Sequence, residues 1–215
     1  MPRRTPSVVV PRRLRTALAT TLAGAFLVGC SGAGDTPAAT PRPTPLASYD
    51  GTVTQVERVS FCSRIRDEAV LDAVGEKVST SHYGNGEHLP GTEDVSHEYG
   101  CVFAGEEVVA RSWVFVPPVT PARAAQLAAS ARAMPGCTSL PAAKFGSPAV
   151  GTLCRAGGRT TVTYRGLFGD AWLACSLDTA TPADQPAGAR ATAEKKLTAD
   201  AGIWCVRVAT TATAS

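Results

Sequence analysis

The chain has no apolar run long enough to cross a bilayer. Its longest, Thr16 to Gly29, has 14 residues, against the roughly 20 that a membrane-spanning helix needs. It has no Cys-x-x-Cys pair among its 7 cysteines, which weakens zinc-ribbon and thioredoxin-like readings. It carries no Gly-x-Ser-x-Gly elbow, zinc-protease helix, Walker loop or dinucleotide fingerprint, so the familiar signatures of hydrolases, metalloproteases, nucleotidases and dehydrogenases are missing. No basic run interleaves with aromatics, which argues against a nucleic-acid partner.

What is present is strongly uneven in charge. The formal +3 of the 215 residues includes five leader arginines, Arg3, Arg4, Arg12, Arg13 and Arg15, with no acid beside them. The remainder holds 16 basic and 18 acidic groups, a net −2. Residues 31–110 hold 5 basic and 13 acidic groups, whereas 111–215 hold 11 and 5. Such asymmetry marks either a partner surface or two halves that neutralise each other on folding.

The leader has the layout of an exported chain: a basic segment to Arg15, then the apolar stretch, then Leu27-Val28-Gly29-Cys30. An aliphatic residue, two small ones and a cysteine resemble the lipobox of bacterial lipoproteins. That resemblance implies a signal peptide over 1–29, cleavage before Cys30 and attachment of fatty acids such as palmitate to Cys30. Membrane lipid then becomes the anchor partner, at the extracytoplasmic face of the cell membrane. Several acyl chains, at roughly 0.8 kcal/mol per buried CH₂, hold a protein firmly where one is marginal. Arg12-Arg13 suggests a twin-arginine signal, but Arg15 stands where that signal has a hydrophobic residue, so the general secretory route is expected. Residues 30–52 read as the acylated cysteine plus a tether; Pro37, Pro41, Pro43 and Pro45 fall within it, and it buries too little apolar surface to offset ordering entropy. Residues 53–210 read as one folded domain, and 211–215 as a disordered tail.

Six cysteines remain: Cys62, Cys101, Cys137, Cys154, Cys175 and Cys205. An even number in an exported chain argues for three disulfides. Six cysteines permit many pairings, among which sequence does not choose; the expectation taken forward joins neighbours, Cys62–Cys101, Cys137–Cys154 and Cys175–Cys205. A helix is expected from Ile65 to Val74 with Gly75 as its left-handed cap, then a polar loop from Val78 to Val95. Strands are expected over Glu98–Phe103 and Val108–Val116 as a hairpin. Thr120 and Pro121 then cap and open a helix to Ala133. Strands Ala149–Arg155, Thr160–Arg165 and Ala171–Leu177 form a meander, and a helix covers Ala187–Val206. The fold class is α+β: a single domain whose antiparallel sheet of about five strands carries helices mainly on one face, in the order α-ββ-α-βββ-α. Trp113 with Thr120-Pro121 and Trp172 with Thr181-Pro182 hint at a duplication.

Cys62 through Gly75, the Tyr99-Gly100-Cys101 strand, the run from Tyr164 to Cys175 and Trp204-Cys205, together with the lipobox, resemble small secreted actinobacterial lipoproteins grouped as a domain of unknown function. Ser60-Phe61 stand where that group has Asp-Pro. The resemblance implies location and fold and brings no chemistry with it.

Three groups of residues are candidates for function. The polar loop contains or approaches all three of His82, His88 and His97, with Glu87, Glu93, Asp94 and Glu98 among them. Imidazole and carboxylate can hold Zn²⁺ or Cu²⁺, or a histidine can act as a general base. Leu167 and Phe168, between Gly166 and Gly169, form an apolar pair at an expected hairpin tip; they either fold back onto the core or meet a partner. Arg111, Arg123, Arg132, Arg155, Arg159 and Arg165 are candidates to gather on one side of the sheet and receive an anionic envelope polymer, since the guanidinium fork matches carboxylate and phosphate. The reading is a membrane-anchored, non-enzymatic binding or accessory module of the cell envelope, with no cofactor and no catalytic residue assigned. The alternative is an envelope hydrolase or metal-dependent enzyme using His82, His88 and His97.

Overall fold

A computed structural model describes residues 43–89 and 93–213. In chain order it has helix α1 (Asp67–Val74), strands β1 (Ser79–Tyr83), β2 (Glu98–Ala104) and β3 (Val108–Phe115), and helix α2 (Pro121–Arg132). Strands β4 (Cys137–Leu140), β5 (Ala149–Ala156), β6 (Arg159–Phe168) and β7 (Ala171–Ala180) follow, and helix α3 (Ala187–Thr211) closes the chain. All seven strands form one antiparallel sheet in the order β1-β2-β3-β7-β6-β5-β4. The β3–β7 pairing joins the early strands to the late ones.

The domain is thus mixed α/β with seven strands rather than about five, in the order α-βββ-α-ββββ-α. The two additional strands, β1 and β4, are the sheet's edges. β1 lies in the stretch expected as a polar loop, and four of its five residues are exposed. β4 is four residues long with Thr138 and Ser139 exposed. An edge strand is held mainly by main-chain bonds to a single neighbour, so it need not display the apolar alternation by which strands are read.

Alternation along the inner strands divides the sheet into two faces. Phe103, Val114, Leu173, Cys175, Leu177, Val162, Tyr164 and Phe168 point to one, where they form the main core with Trp204, Val208 and Ala209 of α3 and Val70 and Val74 of α1. Trp204 packs edge-on to Phe103 at 5.7 Å and donates its indole N–H to the Arg111 carbonyl at 3.2 Å. The opposite face holds a smaller cluster, Val150, Leu167 and Trp172 against Val119, Ala124, Ala128 and Ala131 of and before α2. The helices are therefore shared two to one between the faces.

Local chemistry sets the helix ends. α1 starts at Asp67, two residues later than expected; Asp67 and Glu68 occupy its first turn, where the helix dipole favours carboxylates. It stops at Gly75, whose φ of 82° suits glycine and whose N–H reaches the Leu71 carbonyl at 2.8 Å. Thr120 Oγ1 accepts from the Arg123 N–H at 3.2 Å with Pro121 behind it. α3 runs beyond Val206 to Thr211 because Val208 and Ala209 continue its buried stripe. Ala212 is also buried and Thr213 bridges to Val56, so the tail expected at 211–215 is part of the domain as far as 213; residues 214–215 lie outside the described residues.

The expected tether over 30–52 is likewise shorter. Leu46–Ser48 form a 3-10 turn, and Leu46 is buried so close to α3 that a Cβ on Gly202 would lie 3.0 Å from its own Cβ. Asp50 bridges to Lys144 in main chain and in an ion pair of 2.5 Å. Three disulfides staple the domain: Cys62–Cys101, Cys137–Cys154 and Cys175–Cys205. The first ties the segment before α1 to β2, the second joins β4 to β5, and the third joins β7 to α3. Asp50–Lys144, Asp72–Arg207 and Arg58–Asp170 link the acidic early part to the basic late part.

Candidate functional site

Helix α2 packs on β4, β5 and β6, and no helix of the described residues covers the β7-β3-β2 side of its face. Register places the side chains there in rows. One row runs Arg165 (β6), Ala174 (β7), Trp113 (β3), Gly100 (β2), Tyr83 (β1). The next runs Thr152 (β5), Thr163, Ser176, Arg111, Val102, Ser81.

Small residues at Ala174 and Gly100 set the relief of this surface. The Tyr83 ring lies directly on Gly100, since a Cβ there would meet a ring carbon at 2.1 Å. From that position Tyr83 donates its hydroxyl to Glu98 Oε1 at 2.8 Å. Burial pushes both groups up: Tyr83 is raised further by the adjacent carboxylate, and Glu98 is raised despite the tyrosine bond, which acts the other way. Trp113 is half-buried, and its indole N–H has no hydrogen-bond partner among the described residues.

The cations on this face differ in how they are satisfied. Arg159 pairs with the buried Asp178 carboxylate, which also accepts from Thr161 Oγ1 at 2.6 Å. Arg165 is half-buried and makes one hydrogen bond, from Nη1 to Thr152 Oγ1 at 3.1 Å. It has no carboxylate partner among the described residues, and burial alone draws its pKa below the usual guanidinium range. Arg111 is exposed and also lacks an ion pair among the described residues; its charge is felt at Tyr83. Between these two arginines, the hydroxyls of the buried Thr163 and Ser176 make no hydrogen bond among the described residues.

The six arginines grouped on sequence grounds are therefore divided. Arg111, Arg159 and Arg165 rise from this face. Arg123 reaches Gln126 and Arg132 the Ala149 carbonyl, both from α2. Arg155 lies on the other face in a two-bond pair with Glu194 at 2.6 and 2.7 Å.

The histidines do not converge. His82 sits exposed on β1, opposite Cys101 and so on the α1–α3 side. His88 stands in the β1–β2 loop with Nδ1 3.2 Å from the Glu93 carbonyl, and His97 is exposed just before β2. Among the described residues no three His, Cys, Asp or Glu groups are placed to hold a metal. The hairpin spreads the three rings along its length, so among the described residues they do not share one site. Leu167 and Phe168, candidates for partner contact, are 4% and 1% exposed. Strands β6 and β7 extend past their expected ends, so the tip is Gly169-Asp170, and the pair falls within β6, one residue buried on each face. The concavities among the described residues are shallow. One of about 220 Å³ between α1 and α3 is crossed by the Asp72–Arg207 pair at 2.7 Å. Another of about 280 Å³ surrounds the Gly157-Gly158 turn.

Cys30 and the leader lie outside the described residues. Among those described, no helix is long and apolar enough to cross a membrane. The chain is by its fold a disulfide-stapled α/β domain with one sheet face partly open. No family model matches it, and no curated protein matches it.

Proposed function

We propose that this chain is a lipid-anchored lipoprotein of the extracytoplasmic face, whose domain binds an envelope ligand through the open part of its second sheet face. The observation that carries the reading is a polar and aromatic surface on which Arg165 and, across Ala174 of β7, Trp113 have hydrogen-bonding groups with no partner among the described residues. A folded domain gains nothing by burying a cation without a counter-charge, so a ligand that completes it accounts for its presence.

Cysteine usage supports the anchor. The six cysteines of the described residues pair among themselves, and three disulfides suit an oxidising compartment. The seventh is Cys30, at the end of the lipobox-like tetrad. Leu46 docks on α3, so the tether joins the domain on its helical side, away from the open face. At about 3.1 Å per residue, an extended tether from Cys30 to Leu46 reaches roughly 50 Å, enough to hold that face clear of headgroups.

Metabolic labelling with an alkyne fatty acid in the native host tests the anchor. The wild-type chain is expected to carry label and acyl mass on an amino terminus beginning at Cys30, and to sediment with membranes. Cys30→Ala is expected to carry no label. An unlabelled wild-type chain retaining its original amino terminus would overturn the assignment.

A further inference from the structure

Resting on the binding-module reading, we infer that the open face takes an acidic polysaccharide, with a sugar ring stacked on Trp113 and carboxylates held by Arg165 and Arg111. The arginines and the hydroxyls between them favour an anion. Arg165 spends one of its roughly five N–H donors on Thr152 and presents the rest of a planar fork. Arg111 stands one row along and two strands across, about 12 Å away between backbone positions at the usual strand spacing and rise. Thr163 and Ser176 fill that interval with hydroxyls that have no bond among the described residues. This spacing suits charges carried on successive parts of one polymer.

The aromatic residue points to sugar. Trp113 is flanked across the sheet by Gly100, over which the Tyr83 ring lies, and by Ala174, so the β7 side is the one without a large paired neighbour. Its free N–H can donate to a hydroxyl while its face meets the apolar side of a pyranose. Neighbouring acids are accounted for. Asp178 is neutralised by Arg159, and Glu98 accepts from Tyr83. A protein partner would call for an apolar centre; Val102, Val109 and Phe115 are only partly exposed on this face, and capture of a protein there is an outcome of the test below. A nucleic acid would call for a basic tract with several stacking rings, which this face lacks.

Tryptophan fluorescence offers a direct test, because Trp172 and Trp204 are 2% and 1% exposed and Trp113 is the half-buried one. The full mature chain in detergent is titrated with a polygalacturonate hexasaccharide, with its methyl ester, and with inorganic polyphosphate. The acid is expected to bind and shift the Trp113 emission, and raising salt is expected to weaken it. Arg165→Met and Arg111→Gln are each expected to weaken binding about tenfold, and Trp113→Ala to abolish the spectral change. Absence of binding by the acid, equal binding of the ester, or preference for polyphosphate would overturn the ligand class. A photo-crosslinker placed at Ser81, beside the site, separates that failure from failure of the module. Capture of another envelope component at this face leaves the module standing without the glycan, whereas no capture and no glycan binding remove both.

Discussion

The two faces of the sheet are built from the same strands and do opposite things. One is closed by α1 and α3 over Phe103, Leu173, Leu177 and Phe168, and two disulfides tie it to its surroundings. The other is closed by α2 only over Val150, Leu167 and Trp172, then gives way to Thr163, Ser176, Arg165 and Arg111. Apolar packing is concentrated on the first, which also buries Ser112 Oγ without a hydrogen-bond partner among the described residues, and the second presents polar groups at its surface. The division follows from the strand period of two: Thr161, Thr163 and Arg165 alternate with Val162, Tyr164 and Gly166 along β6.

The sharpest way to break this comparison is to truncate one tryptophan from each face. Trp204→Ala removes a fully buried indole and its bond to Arg111, and is expected to cost about 3–5 kcal/mol in urea unfolding. Trp113→Ala is expected to cost well under half of that. Equal losses would show that the open face is core after all. Thr120→Ala, which removes the cap of the helix covering the second face, is expected to cost about 1 kcal/mol. Hydrogen exchange should then loosen in α2 and not in α3; loosening in both would show that the faces are not independent.

The smallest effect concerns Glu98. Burial raises its carboxyl above the ordinary glutamate pKa, so the folded state holds the proton more tightly than the unfolded chain does. The associated stability is present in full below the ordinary carboxylate pKa and is lost as pH rises through the raised value. Glu98→Gln is therefore expected to match or exceed the wild type at pH 7, with that advantage shrinking by pH 4. A variant equally weakened at both would show that the carboxylate's bond with Tyr83 outweighs its desolvation.

Much of the first face was legible in the sequence, because Tyr99, Cys101 and Phe103 alternate and the stripe from Leu197 to Val208 has helical spacing. The capping of α2 by Thr120-Pro121 was legible for the same local reason. β1 and β4 were not, since Ser79-Thr-Ser-His-Tyr83 and Cys137-Thr-Ser-Leu140 carry no alternation of buried residues. The end of β6 was read short at Gly166-Leu167-Phe168-Gly169, where a glycine pair looked like a turn. The open face could be glimpsed only as a set of arginines. Whether Arg155 or Arg165 shares a row with Trp113 depends on register across three strands, and the position of Tyr83 over Gly100 depends on a fourth. The usable signal was polar residues at every second position of strands whose other residues are buried.

The central claim is that Arg165 is kept for a ligand and not for folding. Thermal unfolding and uronate titration of the same Arg165→Met protein test it most directly. The account predicts a Tm equal to or above that of the wild type, since an unpaired half-buried cation has been removed, together with about tenfold weaker binding. A Tm many degrees lower, or binding unchanged, would contradict it.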